Sequence, residues 1–444
     1  MSTMPVYAPE MRLGFGGRPA PAELRGSVTS VSCSTGLGGS DRLEVTLANE
    51  RLRWLDNPLF ALGGEVTFAA GYAPDEPAQL FSGEVTGSEA TFPGSGMPTL
   101  RVIAQDRRTR LAEASPERLF AIPVPKLGLT PIPDIVVAPF VALEHQLVTY
   151  VDPVGALLSA ALSAIDLTGD PGMRQQLARK QHGQTSLAFL EKIAVENGWD
   201  VVVDHGPLGQ GQVIRLMSPA GELSPAVVLR YGQSLIDFTP RISKVGQVAS
   251  VSVNVWRPEI RLELVVTVGY DWDRQSLSIE IVPGFLDKAK AAKAAAEAAK
   301  APADDDEPKP KEKPPPDKSR DGSQTKTTLA NEPVTLGGAP RLILSKLLPK
   351  LNKRLTATGS CVGNPQVTAG KVMRIDGVGE TFGGFYRITQ ARHTFDGGGY
   401  RTSFDLRKEI WFGSIPLQSQ GASRLIPNPL PSGNVIPIPL PAGN

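Results

Sequence analysis

The amino-acid sequence predicts a mainly β protein that carries one α+β insertion. Three observations lead there. Short segments within residues 8–112, such as "DRLEVTLA" and "PTLRVIAQD", alternate apolar and polar side chains and are separated by Gly, Pro, Asn or Asp. Alternation at period two marks half-buried antiparallel strands, so a small barrel or sandwich is expected there. Gly (45) and Pro (40) are both frequent in the 444 residues, while helical patterns are few, which suits a body of strands and turns. One stretch, "HGQTSLAFLEKIAVENGWDVVVD" (182–204), departs from this pattern with a compact helix that stops and turns into a strand.

After the first β region (1–112) the chain becomes proline-rich, "FAIPVPKLGLTPIPDIVVAPFVALEHQ", and periodicity fails up to about residue 150. A helix is expected at "DPVGALLSAALSAI", where Asp152 can cap and Pro153 suits the first turn. In the helix–strand stretch, Thr185 or Ser186 can cap, and Asn197-Gly198 supplies a left-handed stop. Leu187, Leu190, Ile193 and Ala194 form a stripe; Leu187, Phe189, Leu190 and Ile193 read as the packing face, continued by Trp199. "WDVVVD" and "QVIRLMS" then read as a hairpin on that helix, completing an α+β unit over 113–230.

Strands resume over 231–287. Residues 288–326 read as a disordered, charged Ala/Pro-rich linker, because they hold almost no bulky apolar side chain with which to form a core. Its DDDE run (304–307) reads as solvated carboxylates rather than a metal site. A helix and further strands follow over 327–412, and a proline-rich, extended tail over 413–444.

The two β regions can be laid over each other. "GEVTFAAGY" matches "GKVMRIDGV", which sets Gly64 and Gly71 beside Gly370 and Gly377. "FSGEVTGSEATF" matches "FGGFYRITQARHTF", which sets Phe81, Gly83 and Phe92 beside Phe382, Gly384 and Phe395. Two related barrels would then flank the α+β unit, with the linker inserted inside the second. Such an insertion is tolerable, because each doubling of a loop costs only about 0.6 kcal/mol.

Composition narrows the function classes. Lys and Arg (46) nearly cancel Asp and Glu (45), so no overall field points to nucleic acid. Cys33 and Cys361 are far apart and outside any CxxC pattern, which suggests buried thiols rather than a disulfide framework or zinc site. The N-terminus lacks the pattern of a secretion signal, and no run approaches the ~20 apolar residues of a membrane span, so a soluble protein made in the cytoplasm is expected. "GNPQVTAGK" has the wrong spacing for a phosphate loop and lacks its Ser or Thr, and no helix follows "GVGETFGG" to hold a pyrophosphate. His145, His182, His205 and His393 stand in unrelated contexts without metal-ligand spacing; His182 and His205 read as turn or surface polar groups. No catalytic, cofactor-binding or metal-binding residue is assigned.

Several ordered motifs carry a resemblance. "HGQTSLAFLEKIAVENGWDVVVD" is followed by "YGQSLIDFTPRISKVGQVASVSVNVW" and then by a closing block. That block holds G-V-G-x-x-F-x-G-x-Y (Gly377 to Tyr386) and H-x-F-x-x-x-G-Y-x-T (His393, Phe395, Tyr400, Thr402). "LFSGEVT" and "AQDRRTRL" fit as well. Together they resemble the baseplate hub proteins of contractile phage tails and related injection systems, the late control protein D family. The resemblance touches most of the chain except 113–150, 288–326 and the tail.

The resemblance implies a non-enzymatic homotrimer in which each chain contributes two tube-like antiparallel β-barrels, giving a pseudo-hexameric ring around a central channel. Such a ring adapts a hexameric tail tube, or its initiator protein, to a trimeric spike. The expected partners are that tube, a separate spike protein (no further β-domain follows Trp411-Phe412), baseplate wedge proteins, and a tape-measure protein or DNA in the channel. The expected location is the virion tail baseplate, assembled in the bacterial cytoplasm. The helix–strand unit would brace the ring from outside and offer a surface to neighbouring baseplate proteins. The alternative is a tail-associated peptidoglycan-degrading enzyme whose carboxylates meet only in the fold; a carbohydrate-binding β-module stands lowest, with five Trp and seven Tyr spread over the chain.

Overall fold

Alternating burial makes the N-terminal segments into a sheet. Val31, Cys33 and Thr35, Leu43, Val45 and Leu47, and Leu100, Val102 and Ala104 are all buried, each separated from the next by a less buried residue. The computed structural model describes residues 8–113, 115–125, 128–167, 178–218, 221–242, 248–257, 262–271, 276–283, 325–334, 352, 354–409, 423–427 and 435–439. The first β unit comprises β1 (Ala8–Phe15), β2 (Arg18–Pro19), β3 (Val28–Gly36), β4 (Arg42–Ala48), β5 (Glu65–Ala73), β6 (Ala78–Thr91) and β7 (Thr99–Gln105). They lie in the order β3-β4-β7-β6-β5-β1-β2, and each neighbouring pair is antiparallel.

The α+β unit begins with β8 (Arg118–Val124) and β9 (Gly128–Pro131), to which β11 (Arg179–Gln181) adds on the far edge of β8. A helix at Asp134–Leu143 and β10 (Val148–Val151) lie in the stretch where the sequence shows no period. Pro139 removes an intrahelical donor from that helix, yet Val137, Ala138, Val141 and Ala142 bury one face, so packing overrides local propensity. The helix Pro153–Leu167 starts at Asp152, whose carboxylate accepts from Val154 N and Gly155 N, both at 3.0 Å. The helix Ser186–Asn197 is capped by the Thr185 hydroxyl and ends at Gly198, whose φ of 68° is the left-handed stop. β12 (Asp200–Asp204) and β13 (Val213–Met217) form the expected hairpin, and β10 adds parallel to β13.

The second β unit takes β14 (Pro225–Arg230), β15 (Leu235–Ile242), β20 (Leu355–Val362), β21 (Val372–Asp376), β22 (Gly384–Asp396) and β23 (Gly399–Arg407). Between them, β16 (Val248–Arg257), β17 (Leu262–Asp271), β18 (Ser276–Pro283) and β19 (Thr325–Val334) pair only with one another, as a separate four-stranded sheet. Residues 288–324 of the charged stretch and most of the helix expected before β20 lie outside the described residues. In the proline-rich tail, β24 (Ser423–Pro427) and β25 (Val435–Pro439) form an antiparallel pair.

The two β units share one topology. The order β3-β4-β7-β6-β5 is repeated as β15-β20-β23-β22-β21. The bulge between Val28 and Ser30 recurs between Leu235 and Asp237, and that between Val85 and Gly87 recurs between Ile388 and Gln390. Backbone bonds outside the ladders repeat too. Asn49 N donates to Pro98 O (2.8 Å) as Gly363 N does to Tyr400 O (3.0 Å), and Asp106 N donates to Asp41 O (3.0 Å) as Lys408 N does to Leu355 O (2.9 Å). Bulges are specific one-residue insertions, so their recurrence at matched positions marks a duplication.

The strand pairing shifts the alignment read from sequence by one residue at the start of β5 and by two at the start of β6. Gly63 N donates to Val85 O as Gly370 N does to Ile388 O, which makes Gly63, not Gly64, the counterpart of Gly370. Both glycines have positive φ, 79° and 85°. By the same register Phe81 and Gly83 correspond to Gly384 and Tyr386, while Phe92 and Phe395 correspond as expected. The chain between β15 and β20 therefore occupies the place of the short β3–β4 turn.

The core of the α+β unit holds Phe189, Leu190, Ile193 and Trp199 with Leu187 against it, and Phe120 stacks on Phe189 at 5.4 Å. Leu190 is 1% exposed. Leu190→Ala should therefore lower stability by about 2–5 kcal/mol, measured by urea denaturation followed through Trp fluorescence.

Candidate functional site

Three seams hold the units together, and the side chains with unusual chemistry lie in them. The first is the strand junction at which β22 leaves its own unit. β21 accompanies β22 only from Gly384 to Arg387; beyond that, β3 takes the same edge, pairing Gln390 with Gly36 through Phe395 with Val31. The sheet thus runs unbroken from one β unit into the other. Phe395 and Tyr400 stack at 4.1 Å and belong to the core of the first unit, where Phe68 meets Phe395 edge-on and Tyr72 lies against Tyr400. The Tyr72 hydroxyl donates to Gly363 O at 2.9 Å. A Cβ on Gly363 would fall 2.1 Å from the Tyr400 ring, so only glycine lets the turn approach so closely.

His393 is buried in this junction. Its Nε2 donates to Val367 O (2.9 Å), and its Nδ1 accepts from the hydroxyls of Tyr400 (2.9 Å) and Thr402 (3.1 Å). Burial lowers its pKa to about 4, against the opposing effect of the Val367 carbonyl. The ring is therefore neutral at pH 7 and serves as a fixed donor–acceptor pair. The spacing of His393, Tyr400 and Thr402 in sequence is the cross-strand geometry of the β22–β23 hairpin.

The second seam joins the α+β unit to the first β unit through buried charge. Arg108 donates to Asp106 and lies 3.1 Å from Asp41, and all three are at most 2% exposed. His205 completes the cluster. Its Nδ1 accepts from Ser82 N (3.1 Å), which places the ring proton on Nε2, 2.8 Å from Asp41. The ring also stacks on Phe81 at 5.2 Å. His205 does lie in a turn, as read from the sequence, but the surface reading is corrected: that turn docks onto the first β unit and buries the ring. Ser82 and Arg107 both donate to Gln210 O, and Gly211 (φ 69°) brings the backbone so near Ser82 O that a Cβ would lie 2.2 Å away.

The third seam joins the α+β unit to the second β unit. Arg387 (2% exposed) lies 3.2 Å from Glu409 and donates to the carbonyls of Gly370 (2.8 Å) and Glu222 (2.9 Å). Arg407 bridges Glu409 to Asp200 of β12. A cavity of about 290 Å³ lies where the three units meet, lined among others by Thr35, His205, Arg215, Glu222 and Lys371. Burial lowers the Lys371 pKa.

The remaining residues singled out in the sequence do not converge on one site. Gly64 precedes β5, Gly83 pairs with Val66 inside the β5–β6 ladder, and Gly71 packs on Pro77. Gly377 turns with φ 81° beside Tyr231; Phe382 ends a short helix, and Gly384 opens β22. Tyr386 is buried in the second core. Burial raises the thiol pKa of Cys33, and that of Cys361 to about 12, so neither is a ready nucleophile. Among the described residues no group of three or more His, Cys, Asp or Glu could hold a metal ion, and no helix is long and apolar enough to cross a membrane. Sequence reasoning missed Asp41, Asp106, Arg108, Arg387 and Glu409: Arg108 and Asp106 are neighbours in sequence, but Asp41, and the Glu409 partner of Arg387, come from distant strands.

No family model and no curated protein matches this chain. Among solved structures, the 43 kDa tail protein of prophage MuSo2 from Shewanella oneidensis is similar, with TM-score 0.55 and 14% identity over 90% of this chain and 98% of that one. The tail protein from Neisseria meningitidis MC58 is similar too, with TM-score 0.55 and 9% identity over 90% of this chain and 97% of that one. At these identities the likeness is one of fold, and this chain has the fold of those tail proteins.

Two measurements probe the seams. Arg108→Met leaves Asp41 and Asp106 buried without their cation and should cost about 3–5 kcal/mol in urea denaturation. His393 has a folded pKa below its unfolded value, so the unfolded chain binds the extra proton first and stability falls as pH drops from about 6.5 toward about 4. His393→Gln should be less stable at pH 7 and show a flatter dependence over that window.

Proposed function

We propose that this chain is a structural hub of a contractile tail, a trimer that adapts a hexameric tail tube to a trimeric spike. The internal duplication carries this reading. Two β units with one topology, matched bulges and a continuous sheet between them give each chain two similar surfaces. Three such chains present six similar units to a sixfold partner and keep threefold symmetry for a spike. The fold shared with prophage tail proteins supports the same role. The hydrogen bonds of His205, Arg387 and Arg407 hold the units in place, as a ring that carries mechanical load requires.

On this reading the tube or its initiator sits above the ring and the spike below, with wedge proteins outside. A tape-measure protein or DNA passes through the channel, and the complex resides in the virion tail baseplate. The α+β unit, clamped to both β units, braces the ring from outside. Because Leu190 lies in that unit's core rather than on its surface, Leu190→Asp should abolish assembly by unfolding the brace.

Native mass spectrometry of the purified full chain tests the reading. A trimer of the 47.3 kDa chain is expected. A strictly monomeric or dimeric protein, alone and beside its tube protein, would overturn it. Zymography on cell-wall substrate addresses the alternative: a clear lytic band would replace the structural role with a peptidoglycan-degrading one.

A further inference from the structure

We propose that the ring closes by repeating between chains the strand junction that each chain already makes within itself. The outer edge of β15 in one copy lies antiparallel along residues 88–92 of the next copy, on the edge of β6 that β5 leaves open. This inference rests on the ring reading above and specifies its contact.

Two unused half-edges motivate it. Within the chain, β21 covers β22 only as far as Arg387, and β3 occupies the edge beyond. In the first unit, β5 covers β6 only as far as Glu84, and among the described residues no strand occupies the edge beyond. β15, the counterpart of β3, ends the long sheet, and its outer edge is likewise unoccupied from Asp237 to Ile242 among the described residues. These half-edges are the two sides of the existing junction, now on different chains. They are also different surfaces, so the association is head-to-tail, which forms a ring when the rotation closes.

The shared bulges fix the register. Transferring the β3–β22 pairing through the matched ladders sets Ser88 opposite Ile242, Glu89 opposite Arg241, Ala90 opposite Pro240, Thr91 opposite Thr239 and Phe92 opposite Phe238. Side-chain exposure agrees. Within the chain, Thr35 (5%) and Phe395 (8%) are covered, whereas their counterparts at the open edges, Ile242 (43%) and Phe92 (59%), stand exposed. Glu89, already 3.4 Å from Arg101, would gain Arg241 as a second cation directly opposite. Pro240 stands at the position of Cys33 and has no N–H to give, so the ladder between chains is the poorer by one donor. A proline on an edge also discourages indiscriminate pairing.

A cysteine pair reads the junction directly. Thr91 and Thr239 are both exposed, and the native Cys33 and Cys361 are buried, so the full-length Thr91→Cys/Thr239→Cys chain carries just two accessible thiols. Mild oxidation should give covalent species up to the trimer, with peptides linked between positions 91 and 239. The control Thr91→Cys/Phe238→Cys turns one thiol to the opposite face of the strand and should cross-link about tenfold less. If native mass spectrometry of the same sample shows a trimer but no 91–239 link forms, the junction is wrong and the ring reading stands. If the sample is monomeric throughout, both fall.

Discussion

The structure depends on a strand that changes partners. β22 is long enough to serve two neighbours on one edge: β21 along its first part and β3 along the rest. The change comes where β21 ends and β22 bulges against β23, between Ile388 and Gln390. A bulge bends its strand and sharpens the local twist, which allows the second unit's sheet to continue into the first. The aromatic cluster of Phe68, Tyr72, Phe395 and Tyr400 and the neutral His393 fill the space behind that bend. With main-chain hydrogen bonds and a buried aromatic core in one seam, the two β units are held as a single wall.

The α+β unit is attached by a different kind of force. Its contacts to the two β units are polar and rest on charge held inside those units: His205 reaches Asp41, which Arg108 holds in the first unit, and Arg407, paired with Glu409 in the second, reaches Asp200. Buried ion pairs add little net stability compared with apolar packing, yet they are intolerant of misplacement. They suit a part whose position matters more than its adhesion. The glycines at 211 and 370 serve the same end, since both have left-handed φ where a Cβ would strike a residue of the adjoining unit.

Much of this was legible in the sequence because it is local. Strand alternation, the Thr185 cap, the Gly198 stop and the hairpin of β12 and β13 are written in neighbouring residues. The duplication was visible as well, but gaps in a short β repeat can slide by a residue or two, and the strand ladders with the hydrogen bonds of Gly63 and Gly370 fixed its register. The helix Asp134–Leu143 stayed hidden because its stability comes from burying one face against the helix Ser186–Asn197 and β10 rather than from propensity. The buried polar contacts between units stayed hidden for a related reason. Asp41 and His205 are 164 residues apart, and nothing in either neighbourhood announces the other.

On the proposed function, two equivalent β units per chain build one closed wall from several chains. An electron cryomicroscopy reconstruction of the purified full-length assembly should then show a ring of three chains in which six similar β units surround a channel and the wall between chains repeats the wall within them. A reconstruction in which the two units of each chain face different surroundings, with no closed ring, would contradict it.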